Sequence, residues 1–221
     1  MELNSRAKPL QDSNSCVVVI DDDSEFRDSL GRLLRAAGFK YQLFGSVADF
    51  LAAGLPEGPT CLILDVRMPG RSGLDLQRDM LAASLRVPII FMTAYGDIPM
   101  TVQAMKGGAV EFLTKPFRDQ DLLDAVNVGL AHDQGRREHE NMLGLLRERV
   151  DVLTPRERAI MFQVAKGRLN KQIAGDMGIT ETTVKVHRSN MMRKVNVGSL
   201  PELCRMVDLL NTVPENQNGH S

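Results

Sequence analysis

The feature that most constrains the fold is a fivefold alternation of short apolar segments with longer amphipathic ones. Between the apolar segments, apolar residues recur at three- and four-residue steps, as in an amphipathic helix. Alternating strands and helices form a parallel sheet, and right-handed crossovers leave few ways to wind it. The sequence therefore predicts an α/β domain with a five-stranded parallel sheet. The predicted strands are residues 16–20, 41–44, 61–64, 88–92 and 110–113.

Polar residues stand at the ends of four of these predicted strands. Asp21 and Asp22 follow the first strand, and Asp65 follows the third. Thr93 follows the fourth strand, and Lys115 lies just after the fifth. Open α/β sheets place their chemistry at the edge formed by the carboxyl ends of the strands. We therefore expect these side chains to lie close together.

Such a set of side chains suits phosphoryl chemistry. Carboxylates held close together raise one another's pKa unless a cation joins them, and Mg²⁺ prefers such hard oxygen ligands. A carboxylate beside Mg²⁺ can attack phosphorus and form an aspartyl phosphate, while Lys115 and Thr93 bind the phosphoryl oxygens. Taken singly, each residue has a simpler interpretation, as a helix cap, a solvated lysine or a strand filler. Their joint placement at four strand ends favours a site.

Composition limits the class of protein. The chain has 221 residues, of which 43% are hydrophobic, which suits two packed domains. No apolar run approaches the roughly 18 residues of a membrane span, so we expect no membrane association. The first 14 residues are polar, so we also expect no signal peptide. The three cysteines lack metal-ligand spacing, which favours reduced thiols in the cytoplasm.

Charge is distributed unevenly along the chain. Residues 1–132 hold 13 Lys and Arg against 17 Asp and Glu, whereas residues 153–221 hold 10 against 6. A basic carboxyl-terminal region is typical of a segment that faces a polyanion. Chance is the alternative explanation of so small an excess of basic residues. Charge alone therefore does not establish that this region binds a polyanion.

The segment between these two regions, residues 133–152, contains no strand pattern. Apolar residues recur at helical steps from Met142 to Val150, and no proline interrupts them. This periodicity favours a charged, partly amphipathic helical linker. A flexible tether is the alternative, and the segment is too short to indicate a coiled coil.

Every pattern from residue 154 onward is helical. Thr154 is predicted as an N-cap, with Pro155 at the first helical position and Glu157 at the third. Asn170 is predicted to open the second helix. The four predicted helices cover about 155–166, 171–177, 181–195 and 199–210, and residues 212–221 are expected to fray.

The second and third of these helices have the pattern of a helix-turn-helix. Gly178 supplies the tight turn, and Ala174 is small enough for close helix approach. The third helix begins with polar and basic residues, and a helix in the major groove contacts bases through its N-terminal side chains. An ordinary solvated face is the simpler interpretation of the basic residues. The inward stripe is predicted at Thr180, Val184, Met191, Met192 and Val195.

The strand-end residues belong to longer motifs. These are Asp21-Asp22, the segment Asp-Val-Arg-Met-Pro-Gly-Arg-Ser-Gly at 65–73, Thr93-Ala94-Tyr95 and Lys115-Pro116-Phe117. Together they resemble the receiver domain of bacterial two-component response regulators, and residues 88–117 are similar to the FixJ branch. The resemblance implies a doubly wound, flavodoxin-like sheet of strand order 2-1-3-4-5.

The resemblance also implies roles for the acidic residues. Asp65 is expected to be the phospho-acceptor. Asp22 is expected to bind Mg²⁺ directly, together with Asp21, Asp65 and the backbone carbonyl of Arg67. Arg67 and Tyr95 occupy the positions at which the family tunes the lifetime of the phosphoryl group.

The remaining receiver positions follow in the same way. Thr93 and Lys115 are expected to hold the phosphoryl group. Phe112 occupies the place of an aromatic residue that changes rotamer on activation, and the Lys115–Pro116 peptide bond is expected to be cis. Asp23 is an additional carboxylate, for which capping of the first helix is the simplest role.

Three motifs in the helical region resemble the LuxR-type helix-turn-helix. They are Leu-Thr-Pro-Arg-Glu-Arg at 153–158, Asn-Lys-Gln-Ile-Ala at 170–174 and Thr-Val-Lys-Val-His at 183–187. The resemblance implies that the third helix binds DNA. Residues expected to face bases are Lys185, Val186 and Ser189, and residues expected to face the DNA backbone are Thr182, His187 and Lys194.

These expectations combine into a phosphorylation-controlled transcription factor of the FixJ/NarL type, which is not an enzyme. A sensor histidine kinase would donate the phosphoryl group, after which a homodimer forms through residues 97–106 and 110–113 and binds double-stranded promoter DNA. A contact with RNA polymerase is a hypothesis that rests on association alone. The predicted domains are a receiver at 15–132, a helical linker at 133–152 and a LuxR-type helix-turn-helix domain at 153–213.

Two other classes of function compete with this one. A phosphohydrolase could use Asp65 as its nucleophile, but the haloacid-dehalogenase type has a second Asp two residues later, where this chain has Arg67. No Gly-rich phosphate loop or catalytic triad motif occurs either. A DNA-binding regulator with a purely structural receiver is the third interpretation, against which the intact acidic set argues.

Overall fold

The computed structural model describes residues 14–211. The predictions for residues 1–13 and 212–221, namely no signal peptide and a frayed end, lie outside that part of the chain, as does the predicted domain end at 213. The described residues form two compact units, of which one ends at Arg137 and the other begins at Glu138. No helix within residues 14–211 is long and apolar enough to cross a membrane.

The first unit is a parallel sheet covered by helices. Its strands are β1 (Cys16–Ile20), β2 (Lys40–Phe44), β3 (Thr60–Asp65), β4 (Ile89–Thr93) and β5 (Glu111–Thr114). Its helices are α1 (Ser24–Ala36), α2 (Val47–Ala53), α3 (Gly73–Ala82), α4 (Ile98–Lys106) and the first part of α5 (Asp119–Asp151). All strand pairs are parallel and the order is β2-β1-β3-β4-β5. The predicted sheet and its strand order are confirmed.

The three central strands are buried on both faces. Every residue of β1, β3 and β4 is buried, whereas the edge strands β2 and β5 are partly exposed. Crossover helices cover both faces of a parallel sheet, so its central strands are continuous apolar runs. Alternate side chains serve two cores, with Phe91 on one face and Ile90 on the other. Truncating a fully buried Phe such as Phe91 to Ala typically costs about 3–5 kcal/mol.

Polar residues extend the central strands beyond the predicted apolar segments. β3 ends at Asp65 rather than at Leu64, and β4 ends at Thr93. The backbone ladder continues there, because the N–H of Val66 donates to Met92 and that of Lys115 donates to Thr93. The hydrogen bonds therefore hold the predicted site residues in the edge of the sheet.

Helix α5 is a single helix of 33 residues, so the predicted linker is helical over nearly all of its length. The structure places the end of the first unit at Arg137, later than the predicted boundary at 132. The reason is Asp133, which is fully buried and accepts from the Thr60 N–H at 2.9 Å. Arg136 and Arg137 also donate to this carboxylate, at 2.6 and 2.7 Å. Asp133 therefore belongs to the first unit rather than to a linker.

The second unit is helical throughout its described length. After the last part of α5 it contains α6 (Pro155–Ala165), α7 (Asn170–Met177), α8 (Glu181–Lys194) and α9 (Leu200–Asn211). Helix α8 contacts both α6 and α7, and α6 also contacts α9. A single core lies between them and includes Ile160, Met161, Ile173, Val184, Met191 and Leu203, all fully buried.

The predicted starts of the first two helices of this unit, at Thr154 and Asn170, are confirmed. Thr154 caps α6 in a reciprocal capping box with Glu157, and Thr180 caps α8. Asn170 is the first residue of α7, as predicted, and the preceding Leu169 is the N-cap residue, whose N–H donates to a side-chain oxygen of Gln172 at 2.9 Å.

Two side chains of the helix-turn-helix make contacts that the sequence did not predict. The Asn170 side chain does not cap α7 but accepts from Arg188 of α8 at 3.2 Å. Thr180 was also expected in the inward stripe, but it is exposed because its hydroxyl caps α8. Gly178 adopts a left-handed conformation with φ of 63°, which glycine accepts without steric cost, and so forms the predicted turn.

Candidate functional site

The carboxyl ends of β1 and β3 bring three carboxylates together. Asp21 and Asp22 follow β1, Asp65 ends β3, and one oxygen from each lies within 4.8 Å of the others. Asp21 is fully buried and Asp65 is 8% exposed, whereas Asp22 is exposed. Within residues 14–211 this is the one cluster of three or more acidic, His or Cys side chains spaced to hold a metal ion. We call these three residues the acidic cluster.

Lys115 neutralises part of this acidic cluster. Its Nζ donates to Asp21 Oδ2 at 2.7 Å and to Asp65 Oδ2 at 2.8 Å, and its side chain is only 16% exposed. The backbone N–H of Lys115 donates to Thr93, which fixes the end of β5 against the end of β4. The Lys115–Pro116 peptide bond is cis, as predicted.

Burial and pairing have opposite effects on these charges. Burial raises the pKa of the Asp21 carboxyl, and the hydrogen bond from Lys115 only partly offsets this effect. Burial acts to lower the pKa of Lys115, but the hydrogen bonds to Asp21 and Asp65 outweigh it, so the pKa is raised above its ordinary value. Lys115 therefore stays protonated, and its ammonium is available to an incoming anion.

The loops after β3 and β4 complete the edge of the acidic cluster. The N–H of Arg67 donates to Asp65 Oδ1 at 2.9 Å, and the Thr93 hydroxyl accepts from the Tyr95 N–H at 3.2 Å. The Arg67 guanidinium lies 5.6 Å from the centroid of the Tyr95 ring, which is a cation–π distance. The two loops that flank Asp65 are thus joined by their side chains. The role of the Arg67 carbonyl as a metal ligand stays a prediction.

Two other receiver positions have defined surroundings. Phe112 is half-buried in β5, and its ring centroid lies 6.3 Å from that of Phe91 in the core. Its role as a switch stays a prediction. Asp23 is confirmed as the N-cap of α1, because its carboxylate accepts from the Phe26 N–H at 3.1 Å.

Sequence reasoning missed Phe26. Its ring centroid lies 4.0 Å from Lys115 Nζ, so from the first turn of α1 it touches the ammonium that pairs with the acidic cluster. In the sequence it is one apolar residue of an amphipathic helix, and no local motif distinguishes it. Only the folding of α1 against the end of β5 reveals the contact.

All six residues predicted to contact DNA lie on α8 of the second unit. Lys185 is exposed, and Val186 is 55% exposed although it is apolar. The stripe on the other side of α8, which includes Val184 and Met191, is fully buried. The remaining four predicted DNA contacts are Thr182, Ser189 and Lys194, which are exposed, and His187, which is half-buried.

Lys194, however, has a partner within the second unit. Its Nζ donates to a Glu157 carboxylate oxygen at 2.7 Å, and Glu157 has a side chain that is 5% exposed. The same oxygen accepts from the N–H and the hydroxyl of Thr154, both at 2.9 Å. The ion pair therefore ties the end of α8 to the start of α6, a structural role that the sequence analysis did not assign.

Each of the two units matches a known protein family. Residues 17–127 match the model of the response regulator receiver domain, and residues 151–207 match that of the bacterial regulatory proteins of the luxR family. The chain is 46% identical to Nodulation protein W of Bradyrhizobium diazoefficiens over 198 residues, which cover 90% of this chain and 87% of that protein. The chain belongs to the FixJ/NarL family of two-component response regulators.

Other response regulators show the same extent of similarity. The chain is 41% identical to the transcriptional regulatory protein FixJ of Azorhizobium caulinodans, over 90% of this chain and 94% of FixJ. The structure of the response regulator StyR matches with a TM-score of 0.80 and 48% identity, over 88% of this chain and 98% of StyR. Full-length FixJ from B. japonicum matches with a TM-score of 0.53 and 40% identity, over 90% and 98%.

This response regulator therefore joins a receiver domain to a LuxR-type DNA-binding domain, as predicted. It is a DNA-binding transcriptional regulator of a two-component system, and such regulators are not enzymes. The phosphohydrolase interpretation is excluded by this membership. The positions of the phospho-acceptor, the metal ligands and the DNA contacts stay predictions.

Proposed function

We propose that Asp65 accepts a phosphoryl group from the phosphohistidine of a sensor histidine kinase. The observation that carries this proposal is the Lys115 ammonium, which is shared between Asp21 and Asp65 at the edge of the sheet. A buried lysine placed beside two carboxylates is suited to move from a carboxylate oxygen to a phosphoryl oxygen when one arrives.

Transfer would form one bond and break another. A carboxylate oxygen of Asp65 attacks phosphorus, the phosphorus–nitrogen bond of the phosphohistidine breaks, and its electron pair stays on the imidazole. The Lys115 ammonium and the Thr93 hydroxyl then donate to the phosphoryl oxygens. Because both groups are held in place before the reaction, little reorganisation is needed.

The acidic cluster fits a magnesium ion. Three carboxylates within 4.8 Å offer the hard oxygen ligands and open positions that this ion prefers. We propose that Asp21, Asp22, Asp65 and the carbonyl of Arg67 hold it. When bound, Mg²⁺ supplies positive charge to the phosphoryl oxygens.

Phosphorylation would then favour a homodimer. Helix α4 presents Ile98, which is 80% exposed, together with Val102 and Met105 at helical spacing, each 44% exposed. Exposed apolar side chains on one helix face mark a surface suited to a partner. The neighbouring β5 carries Phe112, so a change of its rotamer on phosphorylation would reach this face.

The dimer would bind promoter DNA through α8. Its exposed N-terminal side chains, Lys185, Val186 and Ser189, would face bases in the major groove. Thr182, His187 and Lys194 would face phosphates, with the Lys194 ammonium shared between a phosphate and Glu157. Activation through RNA polymerase and a cytoplasmic location remain predictions.

Replacement of Asp65 tests the proposal. The full-length protein and Asp65→Asn are incubated with acetyl phosphate and Mg²⁺, and intact-mass spectrometry counts phosphoryl groups. We expect one phosphoryl mass on the wild type and none on Asp65→Asn, while the exposed control Asp49→Asn behaves as wild type. Gel-shift binding in the same samples should increase only where the mass increases. An Asp65→Asn protein that still gains one phosphoryl mass would contradict the assignment.

A further inference from the structure

The Phe26 ring lies against the Lys115 ammonium, next to the acidic cluster. Its centroid lies 4.0 Å from Lys115 Nζ, well inside the roughly 6 Å over which a ring face attracts a cation. Phe26 is half-buried in the first turn of α1 and lies far from Lys115 in the sequence. The contact therefore joins α1 to the loop that follows β5.

The ring completes the surroundings of the ammonium. A lysine ammonium has three N–H donors and no acceptor. Two of its neighbours are the carboxylates of Asp21 and Asp65, at 2.7 and 2.8 Å. The negative face of an aromatic ring supplies a third electron-rich neighbour. Because the Lys115 side chain is only 16% exposed, little of its ammonium remains accessible to water.

Phe26 is itself held from two directions. Its backbone N–H donates to the Asp23 cap at 3.1 Å. Its ring meets the ring of Phe117 edge to face, with centroids 6.1 Å apart and an interplanar angle of 83°. Phe117 follows Lys115 by two residues, so one loop carries both the ammonium and the ring that supports its aromatic neighbour.

We propose that Phe26 is a positioning residue for phosphoryl transfer, which holds the Lys115 ammonium at the acidic cluster while it shifts from Asp65 to the phosphoryl group. This inference rests on the proposed function of Asp65. A cation–π contact has no single hydrogen-bond direction, so it persists when the ammonium moves by a short distance. An aliphatic side chain of similar size would fill the space but would not attract the charge.

Three variants of the full-length protein separate positioning from packing. Phe26→Leu removes the ring, Phe26→Tyr retains it, and Phe39→Leu is the matched control. Phe39 is a half-buried phenylalanine packed on the same core, next to the start of β2 and away from the acidic cluster. The measurement is the rate of phosphoryl uptake from acetyl phosphate and Mg²⁺, followed by intact mass. We expect uptake about fivefold slower in Phe26→Leu, largely restored in Phe26→Tyr and unchanged in Phe39→Leu.

A second measurement needs no variant. Protons above a ring face resonate upfield, so the ε-methylene protons of Lys115 should be shifted upfield in the NMR spectrum of the wild type. An ordinary shift for these protons would overturn the inference, and so would a Phe26→Leu protein that takes up phosphate as fast as Phe39→Leu. A wild type that takes up no phosphoryl group would instead contradict the proposed function, while the Lys115 shift would still test the contact.

Discussion

The Lys194 ammonium lies 2.7 Å from a carboxylate oxygen of Glu157, a residue whose side chain is 5% exposed. Thr154 donates to the same oxygen through its N–H and its hydroxyl. The helix start predicted from Thr154 and Glu157 is therefore also the point at which the end of α8 is attached to α6. The N-cap Thr154, the buried carboxylate of Glu157 and the ammonium of Lys194 thus form one hydrogen-bonded group.

These hydrogen bonds predict that the stability of the second unit depends on pH. The hydrogen bond from Lys194, followed by those from Thr154, lowers the pKa of Glu157 from its usual 4.5 to about 2. A carboxyl group with a lowered folded-state pKa stabilises the fold above its unfolded pKa, and this stabilisation is lost as pH falls through the folded value. We expect the contribution of Glu157 to be complete above pH 4.5 and to vanish towards about pH 2.

Hydrogen exchange of the α6 and α8 amides in the full-length protein, measured between about pH 5 and about pH 2, checks this expectation. This range spans the ordinary and the lowered pKa of Glu157. Glu157→Gln is the matched variant, because it keeps the size of the side chain but cannot titrate. The difference in protection between the two proteins should shrink as pH falls. A difference that stays constant over this range would show that Glu157 does not carry the effect.

The second prediction concerns the buried carboxylate of Asp133. Replacing it by Ala leaves the Thr60 N–H and the guanidinium groups of Arg136 and Arg137 without this acceptor. Breaking a buried ion pair in this way costs about 3 kcal/mol. Chemical denaturation of the first unit measures the loss. Asp124→Ala is the control on the same helix, where the carboxylate is exposed, and we expect it to lie within about 0.5 kcal/mol of wild type.

Asp133 also shows where sequence reasoning ends. The sheet could be predicted because central strands are apolar throughout, and the acidic cluster because Asp21, Asp65 and Lys115 stand at strand ends. Asp133 lies in a charged helical stretch, and nothing local indicates that it is fully buried. Its acceptor role depends on Thr60, which is 73 residues away along the chain. Long-range pairs of this kind become visible only in the folded chain.

Phe26 and Asn170 illustrate the same limit. Helical periodicity correctly assigns Phe26 to a partly buried face, but periodicity does not identify which charge meets that face. Asn is a favoured N-cap residue, yet Asn170 stands inside the first turn of α7 and does not cap it. A tertiary hydrogen bond from Arg188 uses its side-chain oxygen instead. Local rules predict elements well, whereas side-chain partners follow from packing.

The third prediction concerns magnesium. Asp22→Ala removes one charged ligand from the acidic cluster, so we expect Mg²⁺ affinity to fall about tenfold or more. Isothermal titration calorimetry measures it. Asp23→Asn is the control, because it removes the neighbouring charge and retains a side chain that caps α1. Wild-type Mg²⁺ affinity in Asp22→Ala would contradict the assigned site.

The fourth prediction concerns the dimer. Introducing a charge at the exposed apolar face of α4, as in Ile98→Asp, should prevent dimerisation without preventing phosphorylation of Asp65. Sedimentation velocity before and after acetyl phosphate treatment measures the dimer, and intact mass confirms the phosphoryl group. Val128→Asp is the control, because Val128 is 61% exposed on α5 and lies outside the expected face. Unchanged sedimentation of the fully phosphorylated wild type would refute dimerisation as the switch.

The fifth prediction separates two lysines on α8. Lys185 is exposed near the start of the helix, where side chains reach base edges. Lys194 lies at its end, where its ammonium already pairs with Glu157. We expect Lys185→Ala to cost roughly 1–3 kcal/mol on the promoter duplex and much less on a scrambled duplex. Lys194→Ala should weaken binding to both duplexes equally and lower the salt slope by about one unit, as loss of a phosphate contact does.

Binding isotherms on both duplexes at several salt concentrations decide between these roles. Lys194→Ala also removes the partner of Glu157, so Glu157→Gln is measured beside it. If the two variants weaken binding to the same extent with no change in salt slope, Lys194 acts through the structure of the domain and not through phosphate. If Lys185→Ala loses as much affinity on scrambled as on promoter DNA, Lys185 contacts phosphate rather than bases. A base-reading lysine must discriminate between the duplexes, because only base edges carry sequence information.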